Sequence, residues 1–181
     1  MEKYFGAKYT PGVTYLTGEK ETIEIVIQQK KDEGGGAELD LIHEVNYAQY
    51  LFEGKITDIY SNLTKISDLK ISSNDLAFFA IRQQGRFLTI TLNYFQLFPE
   101  RYIKLLGSAG TLFADLINKK VEVFNKKNKK IYSKRFDFDY SQMYIDEVNS
   151  MIEFIKGSEK VRKILSMEQA VNDLKLVEGI I

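Results

Sequence analysis

One short segment of the sequence carries residue types that can move a proton. Asp40 and His43 are three positions apart in a helical hydrophobic period, so both side chains are expected on one side of a helix. A carboxylate beside an imidazole can fix its tautomer, which suits general acid–base catalysis near neutral pH. Tyr47, four positions after His43, adds a hydroxyl on the same side. By itself the Asp-x-x-His spacing is more typical of an ordinary helix face, so a structural histidine remains the alternative.

The residue inventory excludes several other kinds of site. His43 is the only histidine and there is no cysteine, so one chain cannot form a two-histidine metal site, a cysteine-ligated zinc site or a disulfide. We therefore predict no metal. A Ser-His-Asp arrangement has to use His43, and no Gly-x-Ser-x-Gly turn is present to hold the serine. Gly34, Gly35 and Gly36 match neither dinucleotide-binding nor phosphate-loop motifs, so a tight turn is the simpler interpretation of these glycines.

Composition and charge indicate one globular domain with no overall affinity for nucleic acid or membrane. The chain has 181 residues, and its 25 Lys and Arg balance its 25 Asp and Glu. The basic run over 126–130 is predicted to be a solvated turn. The longest apolar run, 76–81, is far shorter than the ~20 residues that a membrane helix needs. The absence of cysteine fits a cytoplasmic location.

The elements around the site segment are a helix, a long run of strands and two closing helices. The pattern predicts one helix over 37–52, with Leu41, Val45, Ala48 and Phe52 on its apolar face. The polar face of this helix carries Asp40, His43, Asn46, Tyr47 and Tyr50. Residues 1–20 are expected to be an irregular lead-in, and strands are expected over 22–28, 56–66, 76–82, 86–94, 101–106, 111–116, 121–124 and 130–135. Asp139 and Ser166 are predicted to cap the two closing helices. This order predicts an α+β fold with a large open, mostly antiparallel sheet and helices packed on one face.

The segment from Gly34 to Tyr47 resembles a segment of a known enzyme family. Its sequence, Gly-Gly-Gly-Ala-Glu-Leu-Asp-Leu-Ile-His-Glu-Val-Asn-Tyr, is similar to the start of the catalytic helix in the second domain of the Gfo/Idh/MocA oxidoreductases. The stretches 51–54, 103–112, 140–157 and 166–181 resemble the end of that helix, a glycine turn of the sheet and the closing helices of the same domain. The resemblance therefore runs from about residue 34 to the end.

The resemblance implies a substrate-binding and oligomerisation domain, with a fold like the C-terminal domain of glyceraldehyde-3-phosphate dehydrogenase. It implies a sugar or sugar derivative as substrate, NAD or NADP as the cofactor of the full-length enzyme, and a homo-oligomer formed through the sheet. His43 corresponds to the acid/base histidine of the family and Asp40 to the carboxylate before it. Asn46 is a candidate substrate contact, although an acidic residue is common in the family at this position. Tyr47 is a second candidate, from its place on the helix alone.

The main departure from the family is the lack of its nucleotide-binding signatures. Family members begin with a Rossmann domain that carries Gly-x-Gly-x-x-Gly and a catalytic lysine in Glu-Lys-Pro, and neither motif occurs here. We therefore expect a truncated or separated second domain that needs a Rossmann partner, binds no cofactor by itself and is inactive alone.

We expect a single domain over 1–181, made of a lead-in and first strand (1–33), a site helix (34–54), the sheet (55–136) and the closing helices (137–181). The alternative function is a non-catalytic interaction or dimerisation module. It would use an exposed face of the sheet, to which Phe78, Phe87 and Tyr94 are expected to contribute apolar area.

Overall fold

A sheet of eight strands forms the body of the protein. The computed structural model describes residues 13–18, 30–52, 54–157 and 166–179, so the predicted strand over 22–28 lies outside the described residues. The strands are β1 (Val13–Gly18), β2 (Ile56–Thr64), β3 (Leu76–Gln83), β4 (Arg86–Asn93), β5 (Arg101–Gly107), β6 (Gly110–Asp115), β7 (Lys120–Asn125) and β8 (Lys130–Arg135). Their order across the sheet is β2-β3-β4-β1-β5-β6-β7-β8. The predicted α+β class with a mostly antiparallel sheet is confirmed.

The prediction of an irregular lead-in is wrong for β1, which lies in the middle of the sheet. This strand pairs in parallel with β4 and antiparallel with β5, and the β1–β4 pair is the only parallel one among the described strands. The physical reason is visible in the sequence, because Val13 to Thr17 is a run of β-branched and aromatic residues with a single leucine. Pro11-Gly12 and Thr17-Gly18, dipeptides typical of turns, stand at the two ends of that run.

Tight turns join β3 to β4, β5 to β6, β6 to β7 and β7 to β8. Gln84 and Gly85 connect β3 to β4 with φ angles of 48° and 72°, so both residues of this two-residue turn are left-handed. Gly110 opens β6 where the backbone of β7 approaches closely. A Cβ atom at Gly110 would lie 1.9 Å from the carbonyl oxygen of Phe124, so only glycine fits there.

The predicted site helix is divided into two. A single turn, α1 (Ala37–Asp40), is followed after Leu41 by α2 (Ile42–Leu51). The predicted apolar face is confirmed, because Leu41, Val45, Ala48 and Phe52 are all buried. All four side chains stay buried although the helix is interrupted at Leu41.

The hydrophobic core lies between α1, α2 and one face of the sheet. Alternate residues of β3 and β4 point into it, and they include Phe79, Ile81, Leu88, Ile90 and Leu92, all fully buried. The last helix, α4 (Met167–Val177), packs against α1 and α2 and adds Leu176 and Val177 to the core. Ser166 forms the predicted capping box with Gln169 at the start of α4.

The opposite face of the sheet, called the open face here, carries aromatic side chains. The strand register places Tyr60, Phe78, Phe87, Tyr102 and Phe113 on it. Tyr94 was expected on this face, and that expectation is wrong. Tyr94 continues the alternation of Ile90 and Leu92, so its side chain lies on the helix-covered side, where its hydroxyl contacts Asp40.

The helix α3 (Tyr140–Ile155) stands apart from the core. Asp139 caps it as predicted, by accepting a hydrogen bond from the backbone N–H of Ser141. None of the residues of α3 is buried, and Tyr144, Val148, Met151 and Ile155, which share one face by their helical spacing, are all exposed. The structure therefore shows an amphipathic helix whose apolar face is uncovered.

Candidate functional site

The predicted site residues lie at the end of the sheet where β4 finishes and β5 begins. The α1 turn is anchored there by a hydrogen bond from the backbone N–H of Ala37 to the carbonyl of Asn74. Tyr94 directly follows β4, and Arg101 is the first residue of β5. The segment from Asp40 to Tyr47 thus faces the side chains of Tyr94 and Arg101, which lie more than 50 positions after their partners in this segment.

Asp40 is paired with a tyrosine, and in the described part of the chain no hydrogen bond or ion pair joins it to His43. The hydroxyl of Tyr94 donates a hydrogen bond to the Asp40 carboxylate. Burial raises the pKa of Asp40, and this hydrogen bond partly opposes that effect. Burial, together with the neighbouring Asp40 and Glu38 carboxylates, raises the pKa of the Tyr94 hydroxyl far above its ordinary value. Tyr94 is therefore a neutral hydrogen-bond donor at physiological pH.

The carboxylate that lies beside His43 is that of Glu44. His43 Nε2 is 3.2 Å from Glu44 Oε1, and the same oxygen accepts a hydrogen bond of 2.7 Å from Arg101 Nε. The imidazole is 43% exposed, whereas the Glu44 side chain is completely buried. An exposed imidazole thus rests on a carboxylate whose position is fixed by a guanidinium.

Tyr47 lies next to this group on the exposed side. Its ring centroid is 6.1 Å from that of His43 in an edge-on arrangement, and the Arg101 guanidinium carbon is 5.8 Å from the Tyr47 centroid. The structure therefore brings His43 and Tyr47 together, as predicted from their spacing. A ligand in contact with one ring is within reach of the other.

Asn46 is turned away from this group and towards α4. Its amide nitrogen donates a hydrogen bond of 2.7 Å to Asp173 Oδ2, which connects α2 to α4. Burial raises the pKa of Asp173, and the hydrogen bond from Asn46 partly opposes that effect. The geometry gives Asn46 a structural contact, and its carbonyl oxygen and second amide N–H remain for another partner.

The glycine segment before the site has a packing role. Gly36 has a φ of 150°, and a Cβ atom there would lie 2.7 Å from Glu38 Oε1. That oxygen accepts a hydrogen bond of 2.7 Å from the Asn74 side chain. Gly36 therefore makes room for the buried Glu38 carboxylate, in agreement with the tight-turn interpretation.

Sequence reasoning missed four polar residues of this region. Glu44 and Arg101 are 57 positions apart, and Tyr94 is 54 positions from Asp40, so no local pattern connects either pair. Glu38 is buried although it looks like an ordinary first-turn acid. A signal was nevertheless available for Glu44, because it stands next to Val45 and close to the apolar arc of the helix.

Neither a metal site nor a pyrophosphate site is formed by the described residues of this region. Among them, no group of three His, Asp or Glu side chains could hold a metal. Glu38 lies in the first turn of α1, directly after the glycines. Its buried carboxylate would repel a pyrophosphate bound at this position. No helix of the described residues is long and apolar enough to cross a membrane.

Comparison with known structures shows the fold. The chain matches UDP-N-acetylglucosamine 3-dehydrogenase GnnA from Acidithiobacillus ferrooxidans with a TM-score of 0.66 at 10% identity, over 94% of this chain and 51% of that one. It matches levoglucosan dehydrogenase in complex with NADH and levoglucosan with a TM-score of 0.75 at 15% identity, over 98% and 58%. It also matches a super-repressor mutant of Gal80p from Saccharomyces cerevisiae with a TM-score of 0.78 at 11% identity, over 99% and 56%.

The chain thus has the fold found in part of these Gfo/Idh/MocA-type proteins, and it spans just over half the length of each of them. No protein-family model and no curated protein matches the sequence.

Proposed function

We propose that this chain is the substrate-binding domain of an oxidoreductase that acts on a hydroxyl group of a sugar or sugar derivative. The observation that carries the proposal is His43, an exposed imidazole supported by a buried carboxylate at the end of the sheet. The named activities of GnnA and levoglucosan dehydrogenase, which share the fold, support a sugar-like substrate.

In this proposal each predicted residue has a separate role. His43 is the catalytic residue and exchanges the proton of the substrate hydroxyl. Tyr47 contacts the substrate through its ring or hydroxyl, because its ring is close to His43 and exposed. Asp40 acts together with Tyr94, and Asn46 offers its carbonyl oxygen while its amide holds α4.

The cofactor belongs to another part of the proposed enzyme. NAD or NADP fits the proposal because the neighbouring structures include NADH complexes. The sequence lacks the Gly-x-Gly-x-x-Gly motif of a dinucleotide-binding domain, so we assign the binding of the cofactor to a Rossmann partner and no hydride-transfer step to this chain. The lack of cysteine supports the cytoplasm as its location.

Fusion to a nucleotide-binding domain of a structural neighbour tests the catalytic role. The fused protein is expected to oxidise at least one member of a panel of sugars, and His43→Ala is expected to lower kcat by about 100-fold or more. Lys126→Ala, in the exposed turn between β7 and β8, serves as the control. Equal turnover in the His43→Ala variant would remove His43 from the mechanism.

A second candidate function is an interaction module, and the open face favours it. Tyr60 and Phe87 are exposed there, and Tyr102 and Phe113 form a ring pair with centroids 5.3 Å apart. Homo-oligomerisation through this face is part of the proposal, and the uncovered apolar side of α3 adds a further surface. Light scattering on the 181-residue chain tests it, since a strict monomer at high concentration contradicts self-association.

A further inference from the structure

The carboxylate expected to orient His43 is engaged elsewhere. Asp40 accepts the Tyr94 hydroxyl, and no ion pair with the imidazole exists in the described part of the chain. Burial already disfavours the charged form of the Asp40 carboxyl group. A second carboxylate is therefore needed if the imidazole is to be held in one orientation.

Glu44 has the position and the environment for this role. Its side chain is completely buried, and Oε1 is 3.2 Å from His43 Nε2. Its other oxygen, Oε2, is buried without a hydrogen-bond partner among the described residues. The imidazole lies against Oε1, and this oxygen has a second lone pair besides the one that accepts from Arg101 Nε, so it can accept the imidazole N–H as well.

Arg101 fixes the position of this carboxylate. Its Nε donates to Oε1 at 2.7 Å, so the guanidinium and the imidazole converge on the same oxygen. Because the backbone of Arg101 belongs to β5, this hydrogen bond ties the Glu44 carboxylate of α2 to the sheet. The three residues form a chain from the sheet to the exposed imidazole.

We propose that Glu44, held by Arg101, is the positioning residue for His43, and that it keeps the proton of the neutral imidazole on Nε2. Nδ1 is then the nitrogen that exchanges a proton with the substrate hydroxyl, a consequence that rests on the proposed function. Glu44 and Arg101 act through His43 and do not touch the substrate.

The single histidine makes this proposal directly measurable. In protein labelled with 15N-histidine, a long-range 1H–15N correlation spectrum reports the tautomer of His43 alone, without substrate, cofactor or second domain. Glu44→Met removes the acceptor and puts an apolar side chain of similar length into the buried position. We expect the ratio of the Nε2-protonated to the Nδ1-protonated form to fall by about tenfold. Asp40→Asn is the matched control and is expected to leave the ratio unchanged.

Two results overturn the proposal. One is an unchanged ratio in a folded Glu44→Met variant, and the other is a larger change in Asp40→Asn than in Glu44→Met. If Glu44→Met does not fold, the unmodified protein still decides the matter. Nuclear Overhauser contacts between the ring protons next to Nε2 and the Arg101 side chain are expected, and their absence contradicts the arrangement. Because these measurements need no turnover, they can fail while the catalytic test of His43 succeeds, or the reverse.

Discussion

The hydroxyl of Tyr94 donates a hydrogen bond to the carboxylate of Asp40 and thereby joins the end of β4 to the end of α1. This contact connects the sheet to the turn that precedes His43. Because burial raises the pKa of Asp40, the ionised carboxylate is held in the folded protein at a cost that the Tyr94 hydroxyl reduces. The pair therefore influences stability as well as the shape of the site.

The stability of the Asp40→Asn variant is expected to increase relative to that of the parent protein as the pH rises. The raised pKa of Asp40 means that its favourable contribution is present below the ordinary carboxyl pKa and is lost as the pH rises through the higher value. Asparagine keeps an acceptor for Tyr94 but does not ionise. Urea unfolding at pH 4 and pH 7 measures the difference, which should grow in favour of the variant at pH 7. An Asp40→Asn variant that loses stability from pH 4 to pH 7 as steeply as the parent would contradict this account of Asp40.

Tyr94→Phe removes the hydroxyl that donates to Asp40, and it should destabilise the protein by about 1 kcal/mol at pH 7.

Asn46→Asp, which introduces the acidic residue common in the resembling family, is expected to destabilise this chain at neutral pH. It would place a second carboxylate against Asp173, whose pKa is already raised by burial. At pH 7 we expect a loss of about 2 kcal/mol, because a hydrogen bond to a buried carboxylate becomes a repulsion between like charges. The loss of stability should become smaller towards pH 4, because the carboxyl groups become protonated there and the repulsion disappears. Asn62→Asp, at an exposed position of β2, is the control and should change stability by less than about 0.5 kcal/mol. A loss that does not depend on pH would show that shape, and not charge, is responsible.

Arg101→Met is expected to cost about 3 kcal/mol of stability, because it leaves the buried Glu44 carboxylate without its guanidinium. The double variant Glu44→Met/Arg101→Met should recover most of that loss, since two apolar side chains replace the buried ion pair. Urea unfolding of the four proteins gives the coupling energy directly. Lys104→Met on the same strand controls for the loss of a surface cation. Additive effects of the two substitutions would mean that the pair does not interact.

The sequence allowed the local elements to be predicted because their signals are local. Asp139 and Ser166 cap the two closing helices, and the apolar residues from Leu41 to Phe52 repeat with a helical period. Each of these features depends on residues fewer than a dozen positions apart. The structure confirms these features. The predicted strands that it describes differ from the observed strands by at most two residues at their ends.

The remaining features depend on contacts between distant parts of the chain. β1 pairs in parallel with β4, more than 70 positions away, so the neighbouring residues cannot indicate its central place. The Asp40–Tyr94 and Glu44–Arg101 contacts likewise arise only when the ends of β4 and β5 meet the site helix. Spacing on one helix predicted Asp40 as the partner of His43. In the structure, Asp40 accepts a hydrogen bond from Tyr94 at the end of β4. Glu44, which is bound by Arg101 of β5, lies beside the imidazole instead.

Gly110→Ala is expected to destabilise the protein by about 3 kcal/mol, because the added methyl group meets backbone and not a movable side chain. The Cβ atom would lie 1.9 Å from the carbonyl oxygen of Phe124, so β6 and β7 would have to separate locally. Ser108→Ala, in the turn just before β6, is the matched control and should stay within about 0.5 kcal/mol of the parent. Thermal and urea unfolding measure both variants. Equal stability of the two variants would show that the hairpin relaxes freely at this point, and the close approach of β6 to β7 would then have no energetic role.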